Sequence, residues 1–115
     1  LIPFELDKLK IKIPKINSCL LNKYRDGSDY IRAHHDTELT FGKYPTIIGL
    51  SLGSNRNIIF KRKVKAADKL NEFKFTLETG SIFIMAGSSQ KYYTHEVPRT
   101  ETSNIRYSLT FRETI

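Results

Sequence analysis

Apolar and polar residues alternate over short distances along most of this chain. Runs rich in Ile, Phe, Tyr and Thr are separated by turn residues at Arg25-Asp26-Gly27-Ser28-Asp29, Phe41-Gly42-Lys43-Tyr44-Pro45, Gly53-Ser54-Asn55, Gly80, Gly87-Ser88-Ser89 and Pro98 to Ser103. Short runs with frequent breaks predict strands. Eight are predicted: Asn17–Tyr24, Ile31–Asp36, Thr46–Leu52, Asn57–Lys63, Glu72–Leu77, Ser81–Ala86, Tyr92–Val97 and Ile105–Arg112. Two helix candidates, Phe4 to Lys10 and Ala66 to Asn71, are too short for a pattern of period 3.6 to show.

Eight short strands at regular spacing predict an all-β core, as a sandwich, barrel or jelly roll. Thr46 to Leu52 and Ser81 to Ala86 are almost continuously apolar, so burial on both faces, or a place lining a closed interior, is expected of them. The last strand alternates cleanly. Ile105, Tyr107, Leu109 and Phe111 share one face, and Arg106, Ser108, Thr110 and Arg112 the other. Its polar face either meets water or turns into a barrel mouth, where two arginines would await an anion. Asn22 and Tyr24 also share a strand face and could join that pocket.

The chain has 115 residues, which suits one domain spanning 1–115 with a core at 17–112. With 39% hydrophobic and 27% charged residues it is no disordered tail, collagen or coiled coil. No run approaches the ~18 apolar residues of a membrane span, and no leader pattern is seen. Because the chain starts at Leu1, a missing N-terminal segment is expected. The lone Cys19 suits a reducing compartment, hence an intracellular protein, nuclear or cytoplasmic. A monomer with no membrane association is expected. The net charge of +7 changes the picture more. A domain this basic tends to meet polyanions, usually nucleic acid, although charge also serves solubility.

His34 and Asp36 lie two residues apart, so on a strand or at its end they project to the same side. His-x-Asp followed by the distant His95 is the sequence form of a two-histidine, one-carboxylate metal triad. Such a triad leaves three positions open on Fe(II), enough for O₂ and a reducing co-substrate. The other reading is that His34 and His35 are surface residues beside a turn acid. Arg106 and Arg112 follow His95 and share one strand face. A co-substrate with two carboxylates needs one end on the metal and the other on a cation, and the guanidinium fork is the better partner. That is the requirement of 2-oxoglutarate.

Asn22-Lys23-Tyr24, His34-His35-Asp36-Thr37-Glu38, His95 and Arg106-Tyr107-Ser108-Leu109-Thr110-Phe111-Arg112 resemble the AlkB family of Fe(II)/2-oxoglutarate dioxygenases. The resemblance runs from about Asn17 to Arg112. It implies a double-stranded β-helix (a cupin-like jelly roll) with at most one or two short helices, and oxidative demethylation of alkylated nucleobases. It implies His34, Asp36 and His95 as iron ligands. Asn22 and Tyr24 match the pair that binds 2-oxoglutarate, Arg106 the partner of its distal carboxylate, and Arg112 a brace for the co-substrate or Asp36. Glu38 matches an acidic position that reads the base. Three departures matter. Ser108 stands where the family has Asn. The segment Glu96-Val97-Pro98-Arg99-Thr100-Glu101 is nearly neutral where duplex-acting members are basic. Twenty-one residues precede Asn22, which implies a reduced nucleotide-recognition lid.

Lys61-Arg62-Lys63-Val64-Lys65, with Lys69, is the densest basic run. It reads either as phosphate contacts or as a solvated edge strand guarded by lysines. Tyr92 or Tyr93 could stack on a base, although such a pair commonly splits between core and surface. The leading expectation is demethylation of DNA or RNA, with single strands preferred. An oxygenase acting on a protein side chain, or an idle basic β-barrel that only binds nucleic acid, are the alternatives.

Overall fold

The computed structural model describes residues 11, 13–67, 70–101 and 103–115. The helix candidate at Phe4 to Lys10 lies outside them, as does Lys69. Eight strands form: β1 Ser18–Tyr24, β2 Ile31–His34, β3 Ile47–Gly53, β4 Arg56–Arg62, β5 Glu72–Leu77, β6 Ile82–Met85, β7 Tyr93–Val97 and β8 Arg106–Arg112. Among the described residues two four-residue helices interrupt them, α1 Glu38–Phe41 and α2 Ser89–Tyr92. The strands build two four-stranded sheets, ordered β1-β8-β3-β6 and β2-β7-β4-β5. All pairings are antiparallel. The chain passes back and forth between the sheets, which makes a jelly roll. No described helix is long and apolar enough to cross a membrane.

The core lies between the sheets. Tyr24, Ile47 and Met85 enter from the first; Ile58, Phe60, Leu77 and Val97 enter from the second. Phe83 of β6 stacks on Phe60 of β4 across the gap, with ring centroids 5.7 Å apart. Phe75 meets both rings at their edges or tilted, at 6.1 and 5.5 Å.

Register decides what faces inward. In the first sheet Asn22, Ser108 and Ser51 form one row, and Leu20, Thr110, Gly49 and Phe83 the next. Both rows contribute to the cavity between the sheets. The intervening row, Leu21-Leu109-Leu50-Ile82, therefore faces outward. This corrects the expectation for the two apolar runs. Ile82 and Ile84 are 65% and 57% exposed, because only one face of β6 meets the other sheet. The helix candidate at Ala66 to Asn71 is not a helix among its described residues. The Asn71 side chain accepts a hydrogen bond from Ala66 N and donates one to Ala66 O, so it competes with helical bonding.

The β1–β2 turn is fastened to the segment after β7 by a hydrogen bond from Thr100 N to Gly27 O, 2.9 Å. A methyl on Gly27 would overlap the Thr100 carbonyl oxygen. Gly27→Ala is expected to destabilise the fold by about 1–3 kcal/mol through overpacking. Urea unfolding would check this, and an unchanged midpoint would contradict the contact.

Candidate functional site

Between the sheets lies a cavity of about 290 Å³, lined on one side by β1, β3 and β8 and on the other by β2 and β7. His34 and His95 are direct register partners across β2 and β7, so their rings approach to 4.3 Å between centroids. Asp36 follows β2 and is buried. The three side chains offer ligand atoms that all lie within 4.8 Å of one another. His34 Nδ1 lies 2.9 Å from Arg32 O. A carbonyl only accepts, so Nδ1 carries the proton and the Nε2 lone pair is free, 3.8 Å from Asp36 Oδ1. Burial, then the neighbouring His34 and Arg112, push the His95 imidazole down to about 4. Near neutrality it is an uncharged donor, the form a metal binds.

Arg112 Nε lies 3.2 Å from Asp36 Oδ2, at an angle that makes an ion pair but no hydrogen bond. Oδ2 thus keeps its lone pairs. Asp36 N donates to the Oε1 of Gln90, 2.9 Å away, and Gln90 Nε2 contacts Met85 Sδ at 3.7 Å. Gln90 is buried on α2, and nothing in its sequence neighbourhood pointed to this part. The contact spans 54 residues and exists only once α2 folds against the loop after β2.

At the other end of the cavity Arg106 is 1% exposed. It donates Nη2–H to Ser51 Oγ at 2.8 Å, while Nε and Nη1 are buried without a partner. No carboxylate pairs with it among the described residues. Burial opposes its charge. The ring of Tyr24 lies 4.9 Å from its Cζ, and burial raises the Tyr24 hydroxyl above its ordinary range. Gly53 permits this packing, since a Cβ there would sit 2.5 Å from Ile105 O and 3.1 Å from Arg106 Cα.

Asn22, Tyr24, Arg106, Ser108 and Arg112 all line the cavity with His34, Asp36 and His95. Of the two readings of β8, its polar face therefore turns inward. His35 and Glu38 line a separate cleft of about 160 Å³ beside Asp36, together with Lys43, Lys63 and Lys91.

The basic run divides. Lys61 follows the inward-facing Phe60, so it points to the outer side of the sheet, where it pairs with Glu96 at 3.1 Å and Glu72 at 3.7 Å. It stands outside the cavity, and a phosphate along the strand would compete with those two carboxylates for it. The alternative of an edge strand is corrected, because β4 runs between β5 and β7. Arg62 lies over the Tyr93 ring, 5.6 Å from its centroid. Tyr93 also packs on Phe73 at 5.9 Å, so its ring is occupied within the protein. Tyr92 on α2 is exposed.

Residues 5–112 match the family model described as 2OG-Fe(II) oxygenase superfamily. This chain belongs to that superfamily. Named relatives place it among the superfamily's AlkB-type members. It is 31% identical over 118 residues to the DNA oxidative demethylase ALKBH2 of Arabidopsis thaliana, covering 85% of this chain and 38% of that protein. It is 34% identical to the alpha-ketoglutarate-dependent dioxygenase alkB homolog 3 of Mus musculus, covering 84% and 36%. The solved structure of OsALKBH1 superposes with a TM-score of 0.63 at 26% identity, over 83% of this chain and 48% of that one. The chain thus spans well under half the length of the curated relatives it matches. The superfamily implies Fe(II), 2-oxoglutarate and O₂, and the site fits them. Two imidazoles and a carboxylate converge at one end of the cavity, and a guanidinium whose Nε and Nη1 have no hydrogen-bond partner waits at the other.

Gln90 is expected to hold Asp36 in place for a metal. Gln90→Leu removes the acceptor of Asp36 N, and such outer contacts commonly carry 10- to 100-fold in metal affinity. Titration with Mn(II) should show at least a 10-fold loss, with the circular dichroism spectrum unchanged. Wild-type affinity would remove Gln90 from that role.

Proposed function

We propose that this chain is the catalytic core of an Fe(II)- and 2-oxoglutarate-dependent oxygenase that removes alkyl groups from nucleic-acid bases and prefers single strands. Arg106 carries the reading. A guanidinium buried with unpaired N–H groups is costly unless an anion completes it. Its position across the cavity from His34, Asp36 and His95 suits a dicarboxylate whose other end reaches a metal.

Each residue then has a part. His34, Asp36 and His95 would hold the iron, a ligand set that suits Fe(II) oxygen chemistry. Asn22, Tyr24 and Ser108 orient the co-substrate, and Arg106 pairs with its distal carboxylate. Arg112 pairs with Asp36 and aims it. The apolar wall of Leu77, Phe83 and Met85 keeps bulk water from the cavity. Iron and 2-oxoglutarate, when bound, supply the means for O₂ to oxidise an N-alkyl carbon. For an N-methyl group the balance is N–CH₃ with O₂ and 2-oxoglutarate giving N–H, formaldehyde, succinate and CO₂.

Nucleic acid is favoured by the net charge of +7 and by the names of the relatives. Glu38 sits in the cleft beside Asp36 with Lys43, Lys63 and Lys91, a placement suited to a base edge and one phosphate backbone. Taking a base from a duplex costs a few kcal/mol, which an enzyme recovers by gripping the second strand. After His95 the described chain offers little grip. Arg99 is engaged, lying 3.8 Å from the Tyr30 ring centroid and donating to Ser28 O.

The deciding assay follows formaldehyde and succinate from methylated single strands, matched duplexes and methylated peptides. Turnover on single strands is expected to exceed that on duplexes and to vanish in Asp36→Ala. Binding through the three cleft lysines should fall with salt at a slope of about −2, or about −0.7 per contact. Faster turnover on duplexes would contradict the strand preference. Turnover on peptides alone would move the substrate to protein, and none on any would favour a binding-only barrel.

Arg106→Lys replaces a fork by a point charge. The apparent KM for 2-oxoglutarate is expected to rise roughly 30- to 1000-fold, the equivalent of about 2–4 kcal/mol. An unchanged KM would take Arg106 out of the co-substrate site.

A further inference from the structure

Arg56 opens β4 and is 2% exposed, almost as deeply buried as Arg106. No acidic side chain lies within ion-pair distance of it among the described residues, although the Asp29 carboxylate, held by Arg25, feels its charge. Three backbone carbonyls satisfy its N–H groups. Nη1–H donates to Asp26 O at 3.2 Å, and Nη2–H to Asp29 O at 2.7 Å and Pro98 O at 2.8 Å. Two of these belong to the β1–β2 connection and one to the segment after β7, so a single guanidinium ties both to the start of β4. Its Nε remains buried and unpaired.

The same guanidinium lies over Tyr24, with Cζ 5.2 Å from the ring centroid. Arg106 lies over that ring as well, at 4.9 Å. Two buried cations thus converge on one tyrosine at the end of the cavity opposite the triad. Tyr24 and Arg106 line the cavity, whereas Arg56 stands behind them. Carbonyl dipoles solvate a cation but do not neutralise it. A strut alone would need only neutral donors at this place. A full charge facing the interior in addition raises the potential where an anion would sit. At an effective dielectric of about 20, a charge one side chain removed changes anion affinity on the order of 10-fold or more.

We propose that Arg56 is a positioning residue for the distal carboxylate of the co-substrate: it fixes Tyr24 beside Arg106 and adds a second positive charge, so that the site selects a dicarboxylate 2-oxoacid over a monocarboxylate one. This rests on the reading that the cavity takes 2-oxoglutarate. Arg56 touches neither co-substrate nor metal and acts through Tyr24 and through its field.

The test is equilibrium titration of the Mn(II)-loaded protein with 2-oxoglutarate and with 2-oxopentanoate, which has a methyl group in place of the distal carboxylate. Wild type, Arg56→Gln and Arg56→Lys are compared, with Mn(II) affinity and thermal midpoint measured alongside. The quantity read is the dissociation constant of 2-oxopentanoate divided by that of 2-oxoglutarate, which a general loss of stability does not move. Arg56→Gln is expected to lower that ratio by about 10-fold or more, with Mn(II) affinity unchanged. Arg56→Lys, which keeps the charge but cannot reach three carbonyls, should lower it by about 3-fold or more. A wild-type ratio in Arg56→Gln would overturn the proposal and leave Arg56 a strut. Should Arg56→Gln fail to fold, Arg56→Lys decides by the same rule. Failure of the wild-type protein to bind 2-oxoglutarate would overturn the reading of the cavity, and this proposal with it.

Discussion

Arg106 is held inside the protein by a hydrogen bond to Ser51 Oγ and by the Tyr24 side chain against it, while its Nε and Nη1 have no hydrogen-bond partner. Taking a guanidinium out of water costs several kcal/mol even after relaxation, so the surroundings must fix it firmly. They do so through the sheet. β8 is flanked by β1 and β3 in continuous register, and Arg106 stands opposite Tyr24 on one side and Gly53 on the other. That register carries Ser108, Thr110 and Arg112 to the same face, and Arg112 to Asp36. The metal end and the anion end of the cavity are therefore two ends of one strand face. A slip of one residue in β8 would turn all four polar side chains outward.

The sheet's two faces invert the usual pattern of a half-buried strand. The polar residues of β8 point inward and line the cavity, while Leu21, Leu50, Leu109 and Ile82 form a row on the outside. The core that supports the site draws on both sheets, with Tyr24, Ile47, Met85 and Phe83 from the first and Ile58, Phe60, Leu77 and Val97 from the second. Function here occupies interior space that packing would otherwise fill. This is why buried charges such as Arg106, Arg56 and Asp36 outnumber what a stability-driven core would hold.

Much of this was legible in the sequence. All eight strands lie within two residues of their expected limits, because alternation and turn chemistry are local signals. Strand period also grouped His34 with Asp36, Asn22 with Tyr24 and Arg106 with Arg112 on shared strand faces, but left open which way those faces turn. What escaped depended on partners far along the chain. α1 and α2 have four residues each and no side-chain cap, so they carry no periodic signal. The role of Gln90 needs a contact across 54 residues. Lys61 looked free for phosphate because neither its facing direction nor Glu72 and Glu96 can be paired with it until β4 lies between β5 and β7. Ile82 and Ile84 looked buried because an apolar run does not say how many of its faces are covered.

The central claim is that His34, Asp36 and His95 at one end and Arg106 at the other form a single site for a metal and a chelating dicarboxylate. Calorimetric titration of 2-oxoglutarate into the wild-type protein, with and without Mn(II) and without O₂, tests it most directly. The account expects one 2-oxoglutarate per chain, bound far more tightly when Mn(II) is present. Equal binding with and without the metal, or none in either case, would contradict it.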